Sequence, residues 1–270
     1  MEKRKSKNAA HLSPANDCGL PDSDSSAAKM LFCLIISAWV GLALTAGPSG
    51  AQETQPASGL LQSNDLSAWK EPTHAWSIVG DVSLSPTNEK MLVSKGGTGI
   101  LFNNGRTPDI LSRQQFGDVE AHVEFMISKA SNSGVYFMGS YELQIYDSFG
   151  VKHDRYPGIE CGGLYPRWID NKNVEGHSPN INASLPPGQW QTFDVIFRAP
   201  KFNAKGEKIA NAVFVKVIHN GKVIHENVEL KGETRGGFPE HAQGPLRLQG
   251  DHGPVAFRNI TIRPLAEQAQ

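Results

Sequence analysis

The sequence predicts an all-β domain built as an antiparallel sandwich or jelly roll. From about Leu60 onward the apolar residues recur with a period of two, which is typical of half-buried strands rather than helices. Short apolar stretches alternate with turn signals, and no convincing amphipathic helix separates them. The pattern therefore favours antiparallel sheets over strands that alternate with helices around a parallel sheet.

Five regular stretches carry the strand prediction. They are residues 118–127, 191–199, 211–230, 245–250 and 255–265. Asn220-Gly221, in the middle of the third stretch, is a strong two-residue turn signal and predicts a β-hairpin. The last two stretches are expected to form a closing pair of strands around residues 251–253. The segment 147–189 is rich in Gly, Pro, Asn and His, and its weak periodicity predicts a long functional loop.

The first 51 residues are interpreted as an N-terminal extension and signal peptide. An apolar run of roughly 16 residues follows Lys29, which suits a signal-peptide core better than a membrane span of about 20 residues. Residues 49–51, Ser-Gly-Ala, fit a cleavage site of small residues, with Gln52 as the first residue after it. We therefore expect export to the periplasm or the extracellular space. An uncleaved N-terminal anchor is the alternative.

The rest of the chain divides into a polar linker at 52–59, one domain at 60–265 and a short tail at 266–270. Without the leader, Cys161 is the single remaining cysteine, so no intramolecular disulfide is possible. A domain of roughly 210 residues can bury enough surface to be stable without one. The net charge of −1, with both signs interspersed, argues against a nucleic-acid surface. The sequence leaves the oligomeric state open.

The stretch SNSGVYFMGSYELQIYDSFG, residues 131–150, carries the candidate site. Strand alternation places Tyr141, Leu143 and Ile145 on one face and Glu142, Gln144 and Tyr146 on the other. A carboxylate, an amide and a phenol on one face suit a sugar ligand, because they can take a proton, exchange hydrogen bonds and stack. The alternative is a solvated outer face of the sheet.

Two neighbouring features favour a cleft over a solvated face. Tyr136 makes the matching face of the preceding strand large rather than charged, and the long polar loop begins directly after the strand, with Asp147 and His153 near its start. Asp147, which precedes Ser148, has a second reading as a residue that caps a turn. Gly134 is expected to supply backbone freedom at the turn that aims the strand.

Spacing argues against an ordinary two-carboxylate glycosidase. Retaining enzymes need two carboxyl groups about 5–5.5 Å apart. Glu142 and Asp147 are five residues apart and lie on opposite faces, unless a β-bulge restores the parity. Glu120 and Glu124 share a face but lie roughly 13 Å apart along a flat strand. A divalent cation held by these two residues and His122 is possible, although the same spacing is poor for a single ion.

The motifs together resemble the 3-keto-disaccharide hydrolase domain family, in order, over roughly residues 60–265. The segments that carry the resemblance are FGDVEAHVEF, SNSGVYFMGSYELQIYDS, CGGLY, GQWQTFDVIFRAP, HNGKVIHENVEL and GPLRLQGDHGPVAFRNITIRPL. The resemblance implies a concanavalin-like jelly roll with a sugar-binding concave face. It also implies cleavage of glycosides whose glucose ring is oxidised at C3, by removal of the C2 proton, elimination of the C1 substituent and hydration.

This chemistry suggests a role for each of several polar residues along the chain. Glu142 is the candidate base and Gln144 a ligand for a hydroxyl or the ketone oxygen; Asp147, His153 and His252 are candidate acids or electrophilic partners. The residues expected to contact the sugar are Tyr136, Tyr146, Arg247, Gln249 and His252. An upstream sugar 3-oxidoreductase is implied as the source of the ketone. A lectin-like module without turnover and a retaining glycosidase with a bulged strand remain the alternatives.

Overall fold

The structure, a computed structural model, describes residues 58–61, 66–70, 72–152 and 158–265. The expected leader and tail, most of the expected linker, and His153 lie outside the described residues. Within these ranges no helix has the length and apolar character needed to cross a membrane.

The described residues are almost entirely strands and loops, with one short 3-10 helix at Thr73–Ala75. The first eight strands are β1 Ser58–Gly59, β2 Ser77–Leu84, β3 Leu92–Asn103, β4 Ile110–Phe116, β5 Val119–Ile127, β6 Asn132–Phe137, β7 Tyr141–Tyr146 and β8 Arg167–Ile169. The second eight are β9 Lys172–Val174, β10 Gln191–Arg198, β11 Lys201–Phe202, β12 Lys208–Ala210, β13 Ala212–His219, β14 Lys222–Leu230, β15 Gly244–Leu248 and β16 Val255–Pro264.

Two antiparallel sheets form a sandwich, which confirms the predicted fold class. The larger sheet has the strand order β14-β13-β10-β5-β16-β3-β2, with β1 paired to β16. The smaller sheet has the order β4-β15-β6-β7. Strands β11 and β12, and strands β8 and β9, form two small hairpins outside these sheets. The last two residues of the expected linker, Ser58–Gly59, therefore take part in the larger sheet as β1.

The core lies between the two sheets and is rich in aromatic side chains. The apolar face predicted for residues 118–127 is buried along β5, and the same holds for Phe193, Val195 and Phe197 in β10. Phe137, from the smaller sheet, packs against Phe197 and Phe214 of the larger sheet, with ring centroids 5.3 and 5.4 Å apart. These contacts fix how the smaller sheet, which carries the candidate site, sits on the larger one.

One predicted hairpin is confirmed and one predicted strand pair is wrong. Asn220 and Gly221 both have positive φ, at 49° and 76°, in the tight turn between β13 and β14. Strands β15 and β16 do not pair with each other, because β15 lies between β4 and β6 while β16 lies between β3 and β5. Residues 251–253 thus carry the chain from one sheet to the other, and their loop lies beside the candidate site.

Candidate active site

The site is a cavity on the face of the smaller sheet that points away from the core. In β7, Tyr141, Leu143 and Ile145 are buried in the core, so Glu142 and Gln144 point to the opposite face. Both line a cavity of about 370 Å³, which lies within the usual range of small-molecule sites. The remaining lining residues are Asp109, Asn132, Tyr136, Tyr165, Arg235, Gly236, Arg247, Gln249, Asp251 and His252.

Strands β6 and β7 form the floor of the cavity. Their register is continuous and pairs Tyr136 with Glu142 and Gly134 with Gln144. Strand β7 would otherwise be a sheet edge, but residues 162–165 cover it: Gln144 N donates to Gly163 O at 2.8 Å, and Tyr165 N donates to Glu142 O at 3.0 Å. Both functional side chains therefore stand on a strand that is hydrogen-bonded on both sides.

Gly134 makes room for the Glu142 side chain. A Cβ atom at Gly134 would lie 2.3 Å from Glu142 Oε1, far inside contact distance. Its φ is not in the left-handed region, so the expectation that Gly134 supplies backbone freedom at a turn is wrong. The glycine is needed because the carboxylate lies directly over its backbone, within strand β6.

The Glu142 carboxylate is almost completely buried, with 2% of the residue exposed. The Tyr136 hydroxyl donates a hydrogen bond to it. The Gln144 side-chain amide is oriented so that its nitrogen faces acceptors and its oxygen faces donors. In this orientation the nitrogen donates to Glu142 Oε1 at 3.1 Å and to Ser133 O at 2.9 Å. Gln144 therefore orients the carboxylate.

Burial raises the pKa of Glu142 from its ordinary 4.5 to about 8. The hydrogen bond from Tyr136 and the positive charge of Arg247 act in the opposite direction, while Asp109 and Asp251 add to the increase. Burial and the nearby Glu142 raise the pKa of Tyr136 as well, so its hydroxyl stays protonated. The result is a carboxylate that exchanges its proton near neutral pH, as a general base or acid must.

Arg247 places a positive charge beside Glu142. Its Nε donates to Asp109 Oδ2 at 2.6 Å and its Nη1 donates to Gly236 O at 2.8 Å. The guanidinium lies over the Tyr136 ring, 4.2 Å from the centroid. Because Asp109 also accepts from Gly250 N at 2.9 Å, it holds Arg247 in a fixed position beside the Glu142–Tyr136 pair.

Polar groups at the wall and rim complete the cavity. Gln249 Nε2 donates to the Tyr136 hydroxyl at 3.4 Å, and Gln249 Oε1 is buried without a hydrogen-bond partner among the described residues. Such an atom is available to a ligand hydroxyl. His252 contacts Asp251 through Nδ1, and both side chains are more than half exposed, at 51% and 56%. Tyr165 also lines the cavity, and burial and the nearby Glu142 raise its pKa.

The structure brings together six of the nine residues singled out in the sequence. Glu142, Gln144, Tyr136, Arg247, Gln249 and His252 line the cavity. Tyr146 does not: it lies at the end of β7 and is 40% exposed. His153 lies outside the described residues.

Asp147 also lies away from the cavity. Its Oδ2 accepts a hydrogen bond from Ala130 N at 2.8 Å, which stabilises a turn where Ala130 has a positive φ of 57°. This agrees with its reading as a residue that caps a turn. Because the register of β7 is continuous, the bulge that would have paired Asp147 with Glu142 is absent. The retaining glycosidase that depended on that pair is therefore contradicted.

The possible cation site on β5 is also not formed. Glu120 pairs with Arg263 and Glu124 pairs with Arg258, while His122 Nδ1 lies 2.6 Å from Asp194 Oδ1. These partners neutralise the carboxylates that a cation would need. Across the described residues, no group of three or more His, Cys, Asp or Glu side chains is suited to hold a metal ion.

Six cavity residues were missed by sequence reasoning: Asp109, Asn132, Tyr165, Arg235, Gly236 and Asp251. Asn132 lies two residues before Gly134, where a turn was expected, but it begins strand β6. Tyr165 ends the CGGLY segment, where two adjacent glycines next to a tyrosine were the available signal. Asp109 and Arg235 lie in irregular segments far from the β6–β7 hairpin in sequence, and no pattern marks them.

A polar cavity on one sheet of a β-sandwich, with a buried carboxylate at its floor, suits a carbohydrate ligand, whose hydroxyls need several hydrogen-bonding partners. The chain belongs to the family of 3-keto-alpha-glucoside-1,2-lyase-like domains, whose profile matches residues 57–263.

Solved structures agree with this assignment. A candidate glycosyl hydrolase from Parabacteroides distasonis is 29% identical, with a TM-score of 0.56 over 77% of this chain and 84% of its own. A second from the same organism, 20% identical with a TM-score of 0.51 over 78% of this chain and all of its own, shows the shared fold. None of the curated proteins compared with the chain matches it. Family and neighbours together support a glycoside-acting enzyme.

Proposed function

We propose that this protein cleaves the glycosidic bond of 3-keto-glucosides by elimination followed by hydration, with Glu142 as the base. The observation that carries the proposal is the single buried carboxylate at the floor of a cavity of about 370 Å³. The other carboxylates of the cavity have different surroundings: Asp109 pairs with Arg247, and Asp251 is largely exposed beside His252. One base suffices for elimination, whereas an ordinary glycosidase needs two carboxyl groups.

The proposed reaction begins at C2 of the oxidised ring. The C3 ketone acidifies the C2 proton, Glu142 takes that proton, and the C2–H electron pair forms an enolate whose charge lies on the C3 oxygen. The enolate then reforms the ketone as a C1=C2 double bond appears and the C1–O bond breaks. The leaving oxygen takes that electron pair and a proton. Water then adds its hydroxyl to C1 and a proton to C2, so the net result is hydrolysis.

The surrounding residues fit the other two roles of this mechanism. We assign stabilisation of the enolate oxygen to Arg247, because its guanidinium is a fixed positive charge that lines the same cavity. We assign protonation of the leaving oxygen to Tyr165, because its phenol lines the same cavity as Glu142 and its backbone N donates a hydrogen bond to Glu142 O at 3.0 Å. Gln144 is a positioning residue that orients the base.

The test follows the hydrogen on C2. The purified protein acts on a 3-keto-glucoside in deuterium oxide, and the released 3-keto-glucose is examined by NMR at early times. Elimination and hydration place deuterium at C2, whereas direct displacement at C1 leaves the original hydrogen there. A parallel sample of 3-keto-glucose without protein measures spontaneous exchange. Glu142→Gln is expected to abolish release and retain sugar binding, since the change keeps the shape and removes the base. Release with hydrogen retained at C2 would refute the mechanism.

The source of the substrate is a further part of the proposal. A 3-keto-glucoside arises by oxidation of the C3 hydroxyl of a glucoside, so a sugar 3-oxidoreductase must act before this protein. The apolar run after Lys29 and the small residues at 49–51 support action after export.

A further inference from the structure

The backbone of the proposed base is held by the short segment that covers the outer edge of β7. This edge segment, residues 162–165, makes three backbone hydrogen bonds with the strand: two with Gln144, both at 2.8 Å, and one with Glu142 at 3.0 Å. Because these bonds fix the strand from its open side, whatever fixes the edge segment also fixes the position of the base.

A β-bulge in β14, on the larger sheet, aims two consecutive side chains at the edge segment. The register of β13 and β14 shifts between Val217 and Ile218, so that Ile224 is an extra residue in β14. Neighbouring residues of a regular strand point to opposite faces, yet Ile224 and His225 are both buried, at 0% and 2% exposure. Both reach Gly162: a Cβ atom there would lie 2.4 Å from Ile224 Cδ1, and His225 Nε2 lies 2.7 Å from Gly162 O.

The His225 imidazole donates the hydrogen bond to Gly162 O. A carbonyl oxygen can only accept, so the proton lies on Nε2. Burial lowers the pKa of His225 to about 4; the bond to Gly162 O opposes this change, and the nearby His177 adds to it. The ring is therefore neutral at the pH values near 8 where Glu142 exchanges its proton. An apolar side chain in its place would leave the buried Gly162 carbonyl without this donor.

The edge segment is also bonded to residues 177–180, which reach β14 themselves. Leu164 and His177 exchange both of their backbone hydrogen bonds, at 2.9 and 3.0 Å. Asn180 N donates to the carbonyl oxygen of the bulged residue, Ile224, at 3.0 Å. The bulge thus serves the edge segment twice, through the backbone of residues 177–180 and directly through the His225 side chain.

We propose that His225 is a positioning residue for the base: its hydrogen bond to Gly162 O holds the edge segment on β7 and keeps the Glu142 carboxylate buried in its working orientation. This inference rests on the proposed function, in which Glu142 removes the C2 proton. His225 does not line the cavity, so it acts through residues 162–165 and not on the substrate. When the edge segment loosens, water reaches Glu142, its pKa falls towards the ordinary 4.5, and it becomes a weaker base.

The experiment compares two substitutions of His225 on a 3-keto-glucoside. His225→Met removes the donor and keeps an unbranched apolar side chain, whereas His225→Gln keeps an N–H group near the position of Nε2. In His225→Met we expect kcat to fall roughly 10- to 100-fold with KM little changed, and the midpoint of the pH–rate profile to move below about 8. His225→Gln should restore much of both properties.

His219→Met is the matched control, because it removes a second buried histidine beside the same segment. His219 is 0% exposed, and its Nδ1 would lie 3.7 Å from a Cβ atom at Gly162. Its Nε2 bonds with Gln191, and its Nδ1 has no hydrogen-bond partner among the described residues. The variant therefore changes the packing around the edge segment without removing a bond to it, and both kcat and the pH midpoint should be kept.

Hydrogen exchange measures the edge segment without any turnover. The backbone amides of Gln144, Gly162 and Tyr165 should exchange roughly tenfold faster in His225→Met, since one buried hydrogen bond is lost, and at an unchanged rate in His219→Met. Unchanged exchange in His225→Met, equal acceleration in both variants, or a lower kcat with the pH midpoint still near 8 would overturn the positioning role.

The exchange measurement also separates this inference from the proposed function. If the unsubstituted protein does not turn over the 3-keto-glucoside, the proposed function fails, and the exchange rates alone decide whether His225 holds the edge segment. Thermal unfolding checks that each variant is folded. If His225→Met does not fold, His225→Asn, whose amide is shorter than the imidazole, takes its place in both measurements.

Discussion

Replacement of Glu142 by glutamine gives a sharp test of the buried carboxylate through stability rather than catalysis. The folded-state pKa of Glu142 is about 8, above its ordinary 4.5, because burial disfavours the charged form. Between these two values the folded protein binds one more proton than the unfolded chain. The free energy of unfolding therefore falls as pH rises, by about 1.4 kcal/mol per pH unit, and the stabilisation is fully present only below about 4.5.

The expected magnitude follows from the same two values. Moving the pKa from 4.5 to about 8 corresponds to a change on the order of 5 kcal/mol between the two ends of the range. The glutamine variant lacks this titrating group. The free energy of unfolding of the unsubstituted protein, minus that of the variant, should therefore decrease by that amount between acid and alkaline pH. Groups common to both proteins cancel in the difference.

The assay is urea unfolding of both proteins at a series of pH values from about 4 to about 9. Glu226→Gln, which removes an exposed carboxylate from β14, provides the baseline for loss of one surface charge. A difference between unsubstituted protein and Glu142→Gln that stays flat across the range, or that grows as pH rises, would show that Glu142 is not a buried titrating group. The cavity floor would then have no base of the proposed kind.

Three further predictions concern the base, the glycine beneath it and the turn at Asp147. If Glu142 acts as a base, kcat/KM rises with pH through about 8 and levels off above it, and a pH–rate profile that falls over this interval contradicts the assignment. Gly134→Ala places a Cβ 2.3 Å from Glu142 Oε1 and should lower turnover and cost about 1–3 kcal/mol on urea unfolding, whereas Gly96→Ala, which meets no atom within 4 Å, should do neither. Asp147→Ala removes the bond to Ala130 N and should cost about 1 kcal/mol while turnover is kept; loss of turnover would return Asp147 to the active site.

The sequence was sufficient to predict the fold class because strand periodicity is local. Alternating burial in β5 and β10 follows directly from alternating apolar residues, and the turn between β13 and β14 follows from Asn220-Gly221. Which strands become neighbours is a long-range property that periodicity does not encode. The sequence pattern therefore does not predict that β15 and β16, which are separated by only a short loop, lie in different sheets.

The residues of the candidate site also fall into two groups, those that strand alternation predicts and those that only tertiary packing brings together. Glu142, Gln144 and Tyr136 were found because they lie on one two-stranded unit, where alternation determines which side chains share a face. The same rule placed Tyr146 with them, but it lies at the strand end beyond the cavity. Asp109 and Arg235 reach the cavity from loops far away in sequence, and only the packing of the whole sandwich brings them there.

The most direct test of the central claim is selective cleavage. The purified protein is incubated with 3-keto-trehalose and, separately, with trehalose, and released monosaccharide is measured over time. Elimination at a single base predicts release from the oxidised sugar alone, since only its ketone makes the C2 proton removable. Cleavage of both sugars at similar rates, or release from neither, would contradict the assignment of Glu142 as the base of a 3-keto-glucoside lyase.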